Sequence, residues 1–211
     1  MNLAGEAKEI KKLKEKINFP ISILIGGVFG VGKTSLSYNL SFRLGIKQRT
    51  SVGVITKTLR FLEPMDSSLR GINQLDKDTD EFPLFFKQAE KICSIVDYIL
   101  KISRKDGVDY IIDGVQLMPQ YLDLDNHSFF IFLKSPKAEE LKERLNRSTT
   151  HPLRYRETTL RQVKKLIKLE KLIISDIKES ASTKILDSAL EEDEVLVQSL
   201  DSIKSWLKSL V

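Results

Sequence analysis

A chain of 211 residues, 41% hydrophobic and 30% charged, can bury a sizeable core, and with six prolines it does not read as disordered or collagen-like. The formal charge of +5 suits an anionic ligand, whether phosphate ester, nucleotide or RNA, without choosing among them. A single cysteine excludes an intrachain disulfide, two histidines do not make a zinc cluster, and no apolar run reaches membrane-spanning length.

Residues 1–19 alternate charges around a few apolar positions, which predicts a helical arm over about 4–17 and lacks the apolar centre of a signal peptide. The expectation is a soluble, cytoplasmic protein with no membrane partner. "PISILI", bounded by Pro20 and the Gly26-Gly27 pair, reads as a buried parallel strand. From Lys33, Leu36, Leu40 and Leu44 recur four apart and stop at Gly45, which predicts a helix with a glycine after its end. A second strand fits 50–55, and 61–85, rich in Asp, Ser, Pro and Gly, reads as loop or insertion.

Phe86, Ala89, Cys93, Val96 and Leu100 recur at helical spacing, so Cys93 is a core residue rather than a nucleophile. "VDYIIDG" and "SFFIFLKSP" are two further strands; 137–147 is a helix, 148–155 breaks it, and 157–180 is a long helix. "TKILDS" is a fifth strand, before a C-terminal helix around 203–210. Strands alternating with helices predict one α/β domain over 1–211: a parallel five-stranded sheet with helices on both faces, a three-layer sandwich. Residues 61–107 then form an acceptor-side insertion and helix, and 144–161 a basic, lid-like segment.

"GVFGVGKT" fits G-x-x-x-x-G-K-[ST] through Gly27, Gly32, Lys33 and Thr34, between a strand and a helix. Glycines let such a loop curl until successive N–H groups point at phosphate oxygens, and the helix adds its positive N-terminal dipole. Gly27, Val28, Phe29, Gly30, Val31, Gly32, Lys33, Thr34 and Ser35 are therefore the candidate nucleotide-binding residues. Lys33 would reach the β and γ phosphates, and the Thr34 hydroxyl would ligate Mg²⁺.

Asp113 stands at the C-terminal end of an expected neighbouring strand, the edge where ligands bind in such sheets, and is the candidate second metal ligand and general base. The plainer alternative is a turn-forming Asp-Gly. Arg144, Arg147, Arg154, Arg156 and Arg161 cluster after the fourth strand. Glu140 to Arg144 and Glu143 to Arg147 have the spacing of helix-surface ion pairs, an alternative to substrate binding. Arg154 and Arg156, beyond Pro152, are the candidates for stabilising a phosphoryl group in flight from a closing segment.

"IGGVFGVGKTSLSYNLSFRLGI", "DGVQLMP" and "HPLRY", in this order and spacing, resemble the archaeal P-loop 2-phosphoglycerate kinase family and, more distantly, adenylate-kinase-like small-molecule kinases. The resemblance runs from about residue 23 to 187. It implies the P-loop NTPase fold and ATP- and Mg²⁺-dependent phosphorylation of the hydroxyl of 2-phosphoglycerate, giving 2,3-bisphosphoglycerate. It places residues 27–34 on ATP, and Arg154 and Tyr155 near the phosphates. Asp113 stands where the family usually has glutamate, and Gln116 where it often has histidine.

Where family members tend to read Ser-Thr-Asp-x-Ile-Arg, this chain reads "SVGVIT", with Gly53 at the carboxylate and Thr56 at the arginine. That removes a natural base and a bidentate anion clamp. Lys57 and Arg60 are the candidates to meet the acceptor's anion in their place, with Gln116, Arg144 and Arg147 as further acceptor-side candidates. Two other readings are a polynucleotide or nucleoside kinase acting on an RNA or nucleoside hydroxyl, and an ATP-binding regulatory protein whose catalysis has decayed.

Overall fold

The runs "SILIGG" and "SFFIFLK" become two strands of a five-stranded sheet, β1 (Ser22–Gly27) and β4 (Ser128–Lys134), and every residue of both is buried except Lys134. A parallel strand covered on both faces needs apolar side chains on both, which is why these runs do not alternate. The computed structural model describes residues 3–70, 82–148, 155 and 157–211. The other elements are α1 (Leu3–Lys16), α2 (Lys33–Leu44), β2 (Gln48–Ser51), α3 (Val52–Leu62), α4 (Pro83–Lys105), β3 (Tyr110–Asp113), α5 (Ala138–Asn146), α6 (Leu160–Ser175), β5 (Thr183–Asp187) and α7 (Glu192–Lys208).

All five strands are parallel, in the order β2-β3-β1-β4-β5. Helices cover both faces, giving the expected three-layer α/β sandwich. α1, α2 and α7 pack on one another, while α3 with α4 and α5 with α6 pack as pairs. The core runs through the sheet, with Phe129, Phe130 and Phe132 of β4 buried and the Phe129 ring 5.2 Å from that of Trp206 on α7. Among the described residues no helix is long and apolar enough to cross a membrane.

The charged N-terminal arm is α1, seated on α7 and α2 through a fully buried Ile10. Lys14 pairs with Asp109, whose other oxygen accepts from Ile21 N at 2.9 Å, so the arm is tied to the entry of β1.

Four boundaries differ from the sequence reading. The strand expected at 50–55 is β2 at Gln48–Ser51, and "VGVIT" opens α3 instead. Val52, Ile55 and Thr56 are buried at helical spacing, and the Ser51 hydroxyl caps the helix by accepting from Gly53 N at 3.3 Å. β2 is an edge strand held through its backbone, so its polar side chains gave no apolar run to recognise. The loop expected at 61–85 is shorter at both ends, since α3 reaches Leu62 and α4 starts at Pro83, and 71–81 lie outside the described residues. The long helix is α6, started at residue 160 by a Thr159–Gln162 capping box and ended at Ser175. The last helix begins at Glu192, eleven residues earlier than 203, with three acidic residues in its first turn.

Candidate functional site

The phosphate loop leaves the C-terminal end of β1 and enters α2 through Gly32, whose φ of 87° is the left-handed conformation that glycine adopts without strain. Among the described residues no side-chain hydrogen bond caps this helix end, which suits an anion site at its first N–H groups. Lys33, the first residue of α2, is 8% exposed, and its Nζ donates to Val28 O at 2.6 Å within the same loop. Burial pulls its pKa down to about 8, against the opposing pull of Asp113 and Glu170.

Asp113 ends β3 beside Ile25 of β1, the strand that leads into the loop, and is 2% exposed. Its Oδ2 accepts from Thr34 Oγ1 at 3.2 Å and its Oδ1 from Ser37 Oγ at 3.1 Å. Gly114 follows because α3 begins against it: a Cβ there would sit 2.4 Å from Val52 Cβ. Asp113 is thus a carboxylate bonded to the phosphate loop's own threonine, rather than only a turn former.

The loop lies between two clefts. One, of about 490 Å³, is lined by Lys33, Thr34 and Asp113 and also by Ser51, Gly53, Thr56, Lys57, Arg60 and Gln116, together with Arg144, Arg147 and Tyr155. The other, of about 550 Å³, touches the loop at Gly30–Gly32 and Ser35 and is walled by residues 188–192 between β5 and α7. The fold therefore brings Lys57, Arg60, Gln116, Arg144 and Arg147 to one cleft with Asp113.

Their bonding separates them. Arg144 donates to Ser188 O at 2.7 Å and to Glu140 Oε1 at 2.6 Å, and Arg147 lies 3.6 Å from Glu143, so both helix-surface pairs form. Both arginines stand between the two clefts, lining each. Arg60 Nε donates to Leu69 O at 2.7 Å. Gln116 Nε2 donates to Oε1 of the fully buried Gln88 at 3.3 Å. The Thr56 hydroxyl donates to Val52 O at 3.0 Å within its own helix. Cys93 is buried, its thiol donating to Gln116 O at 3.2 Å and pushed by burial up to about 12, the core residue expected. Tyr155 places its ring 5.4 Å from that of Phe29 in the loop. Arg154 and Arg156 lie outside the described residues.

Three residues around Asp113 were not singled out from the sequence. Ser37 is one turn beyond Thr34 on α2, and this spacing was the available signal. Arg49 reaches from β2 to within 3.9 Å of Asp113 Oδ1, and Tyr38 stacks on its guanidinium at 5.2 Å. Both depend on β2 lying beside β3, which no local pattern announces.

Comparison with known proteins bears on the fold and the family. The chain is 23% identical over 175 residues to a 2-phosphoglycerate kinase of Pyrococcus furiosus, covering 78% of this chain and 58% of that protein. It is 22% identical over 188 residues to one of Pyrococcus horikoshii, covering 84% and 62%. The chain thus spans less than two thirds of either relative. Among solved structures, a gluconokinase from Sinorhizobium meliloti 1021 shares the fold with a TM-score of 0.53 at 18% identity, over 92% of this chain and 97% of that one. The profile of the AAA domain matches residues 23–165, a span that takes in the phosphate loop, β3 with Asp113 and most of the cleft wall. On that match the chain belongs to the AAA domain family, as a P-loop α/β protein similar to archaeal 2-phosphoglycerate kinases.

Proposed function

We propose that the chain is a kinase that transfers the γ-phosphoryl group of ATP, with Mg²⁺, to the hydroxyl of a small anionic metabolite of the 2-phosphoglycerate type. The observation that carries this reading is the junction of Thr34 and Asp113 beside Lys33, in a cleft that opens onto Lys57 and Arg60. Two oxygen donors converging at a phosphate loop, with no thiolate or imidazole beside them among the described residues, suit Mg²⁺. Thr34 Oγ1 and Asp113 Oδ2 would hold it, and the ion would neutralise charge on the phosphates.

Lys33 would leave Val28 O for the phosphate oxygens, a stronger, charge-assisted bond. The cleft containing Lys33 and Asp113 takes the reacting end, so the nucleoside lies in the second cleft, beyond Gly30–Gly32. Among the described residues the reacting cleft is lined by five cations, Lys33, Lys57, Arg60, Arg144 and Arg147, and by one carboxylate, Asp113. That balance favours an acceptor already carrying a negative charge.

Gly53 offers no side chain and the Thr56 hydroxyl is taken by Val52 O, so the acceptor's anion falls to Lys57 and Arg60. Asp113 is engaged by Thr34 and Ser37 and is poorly placed to serve as base as well. A loose phosphoryl-transfer transition state makes small demands on a base, because positioning and charge stabilisation supply most of the rate. Arg154 and Arg156, outside the described residues, would add positive charge to the transferring phosphoryl group.

ADP release from Mg-ATP, with and without 2-phosphoglycerate, tests the reading, with Lys33→Ala as the blank. Stimulation that disappears in the variant is expected. A Lys33→Ala protein that keeps the wild-type rate overturns it.

A further inference from the structure

Asp113 is held from two sides, and one side has no part in binding a ligand. Its Oδ2 faces Thr34, while its Oδ1 accepts from Ser37, whose oxygen in turn accepts from Arg49 Nη1 at 3.2 Å. A hydroxyl has one proton and two lone pairs. With Arg49 on a lone pair, the one Ser37 proton is left to two acceptors, Asp113 Oδ1 and Thr34 O, each 3.1 Å away. Arg49 thereby fixes the Ser37 oxygen beside the carboxylate as a donor rather than an acceptor toward it, and its charge, 3.9 Å from Oδ1, offsets the cost of burying Asp113.

Arg49 is itself held in place. It lies on β2 two residues before Ser51, which is in register with Asp113, so its side chain leaves the sheet on the same face. The Tyr38 ring, 5.2 Å away and 63% exposed, covers the guanidinium, which accounts for an exposed aromatic on α2.

We infer that Arg49 and Ser37 are positioning residues for the metal-binding carboxylate: they occupy Oδ1 and orient Asp113 so that Oδ2 and Thr34 Oγ1 converge on one ion. This rests on the kinase reading only in that the site takes Mg-nucleotide. Neither residue lines the reacting cleft, so neither touches substrate. Two opposed effects of Arg49 on Mg²⁺ are open to measurement. Orientation through Ser37 strengthens binding, whereas repulsion between guanidinium and cation weakens it. Arg49 approaches Oδ1, whereas Oδ2 with Thr34 Oγ1 would hold the ion, so orientation is expected to be the larger effect.

The test is ADP affinity by titration calorimetry, in EDTA and at rising Mg²⁺, for the wild type, Arg49→Gln, Arg49→Lys and Ser37→Ala. In EDTA, Arg49→Gln is expected to bind ADP within about twofold of the wild type. Its half-saturating Mg²⁺ is expected to rise about tenfold, the loss typical of removing a group that orients a metal ligand. Arg49→Lys restores part of the loss, because the charge remains and the planar fork does not. Ser37→Ala, which deletes one oxygen, shifts Mg²⁺ dependence in the same direction and carries the test if Arg49→Gln does not fold. An unchanged Mg²⁺ response in both Arg49→Gln and Ser37→Ala, or a tighter one, overturns the positioning role and leaves the kinase reading standing. A wild type that binds no ADP overturns both.

Discussion

Asp113 Oδ2 accepts a hydrogen bond from Thr34 Oγ1 at 3.2 Å across 79 residues of sequence, and this one contact joins the phosphate loop to the neighbouring strand. It exists because β3 lies beside β1, with Asp113 in register with Ile25, two residues before the loop opens. The contact also depends on the chain after Asp113 passing tightly under α3.

Gly114→Ala is expected to disturb it. The added methyl would lie 2.4 Å from Val52 Cβ and 2.5 Å from its Cγ2, so α3 or the end of β3 must shift. Overpacking of this kind costs about 1–3 kcal/mol. Urea unfolding should show that loss, and Mg²⁺-dependent ADP binding should weaken with it. An unchanged midpoint would mean that α3 moves aside without cost.

Lys33 gives a stability effect with a definite sign. Its pKa falls from 10.5 in the unfolded chain to about 8 in the folded one, through burial. Between those values the unfolded chain holds more protons, so stability rises with pH from about 8 to 10.5, and below pH 8 the buried ammonium weakens the fold in full. Lys33→Met should therefore stabilise the free protein at pH 7, by on the order of 3 kcal/mol at most, and lose that advantage toward pH 10.5. Urea unfolding of both proteins at pH 7 and pH 10 checks it.

The same lysine governs how nucleotide affinity varies with pH. A phosphate ligand needs the ammonium, so binding above pH 8 requires proton uptake. ATP affinity should be flat from pH 6.5 to 7.5 and fall by up to about tenfold per pH unit above pH 8. Calorimetry in buffers of different ionisation enthalpy should detect the proton taken up at pH 9. A flat profile through pH 9.5 would place Lys33 away from the phosphates.

Ile10 tests whether the N-terminal helix is part of the core. It is fully buried where α1 meets α7 and α2, so Ile10→Ala should cost about 2–5 kcal/mol. A loss below about 0.5 kcal/mol would mean that α1 detaches without consequence for the rest.

Much of the sheet was legible because its inner strands are buried on both faces, so "SILIGG" and "SFFIFLK" stand out as apolar runs. The phosphate loop was legible because its spacing follows from phosphate geometry, and Asp113 because it ends an apolar strand. β2 was not, since "QRTS" pairs at an edge through backbone groups while the apolar residues after it face the core from a helix. Arg49 was hidden with it. Its role needs the β2–β3 register, a contact of the folded chain. The departures at Gly53 and Thr56 were visible as residue changes, with Lys57 and Arg60 named beside them; that all four lie on one helix lining the cleft of Asp113 needed the fold.

The most direct test of the central claim is transfer of label from γ-labelled ATP to 2-phosphoglycerate, run side by side for the wild type and Asp113→Ala. The account predicts a doubly phosphorylated product from the wild type and at least about a hundredfold less from the variant, with its fold intact by circular dichroism. Equal product from Asp113→Ala, or no labelled acceptor from a wild type that binds ATP, would contradict it.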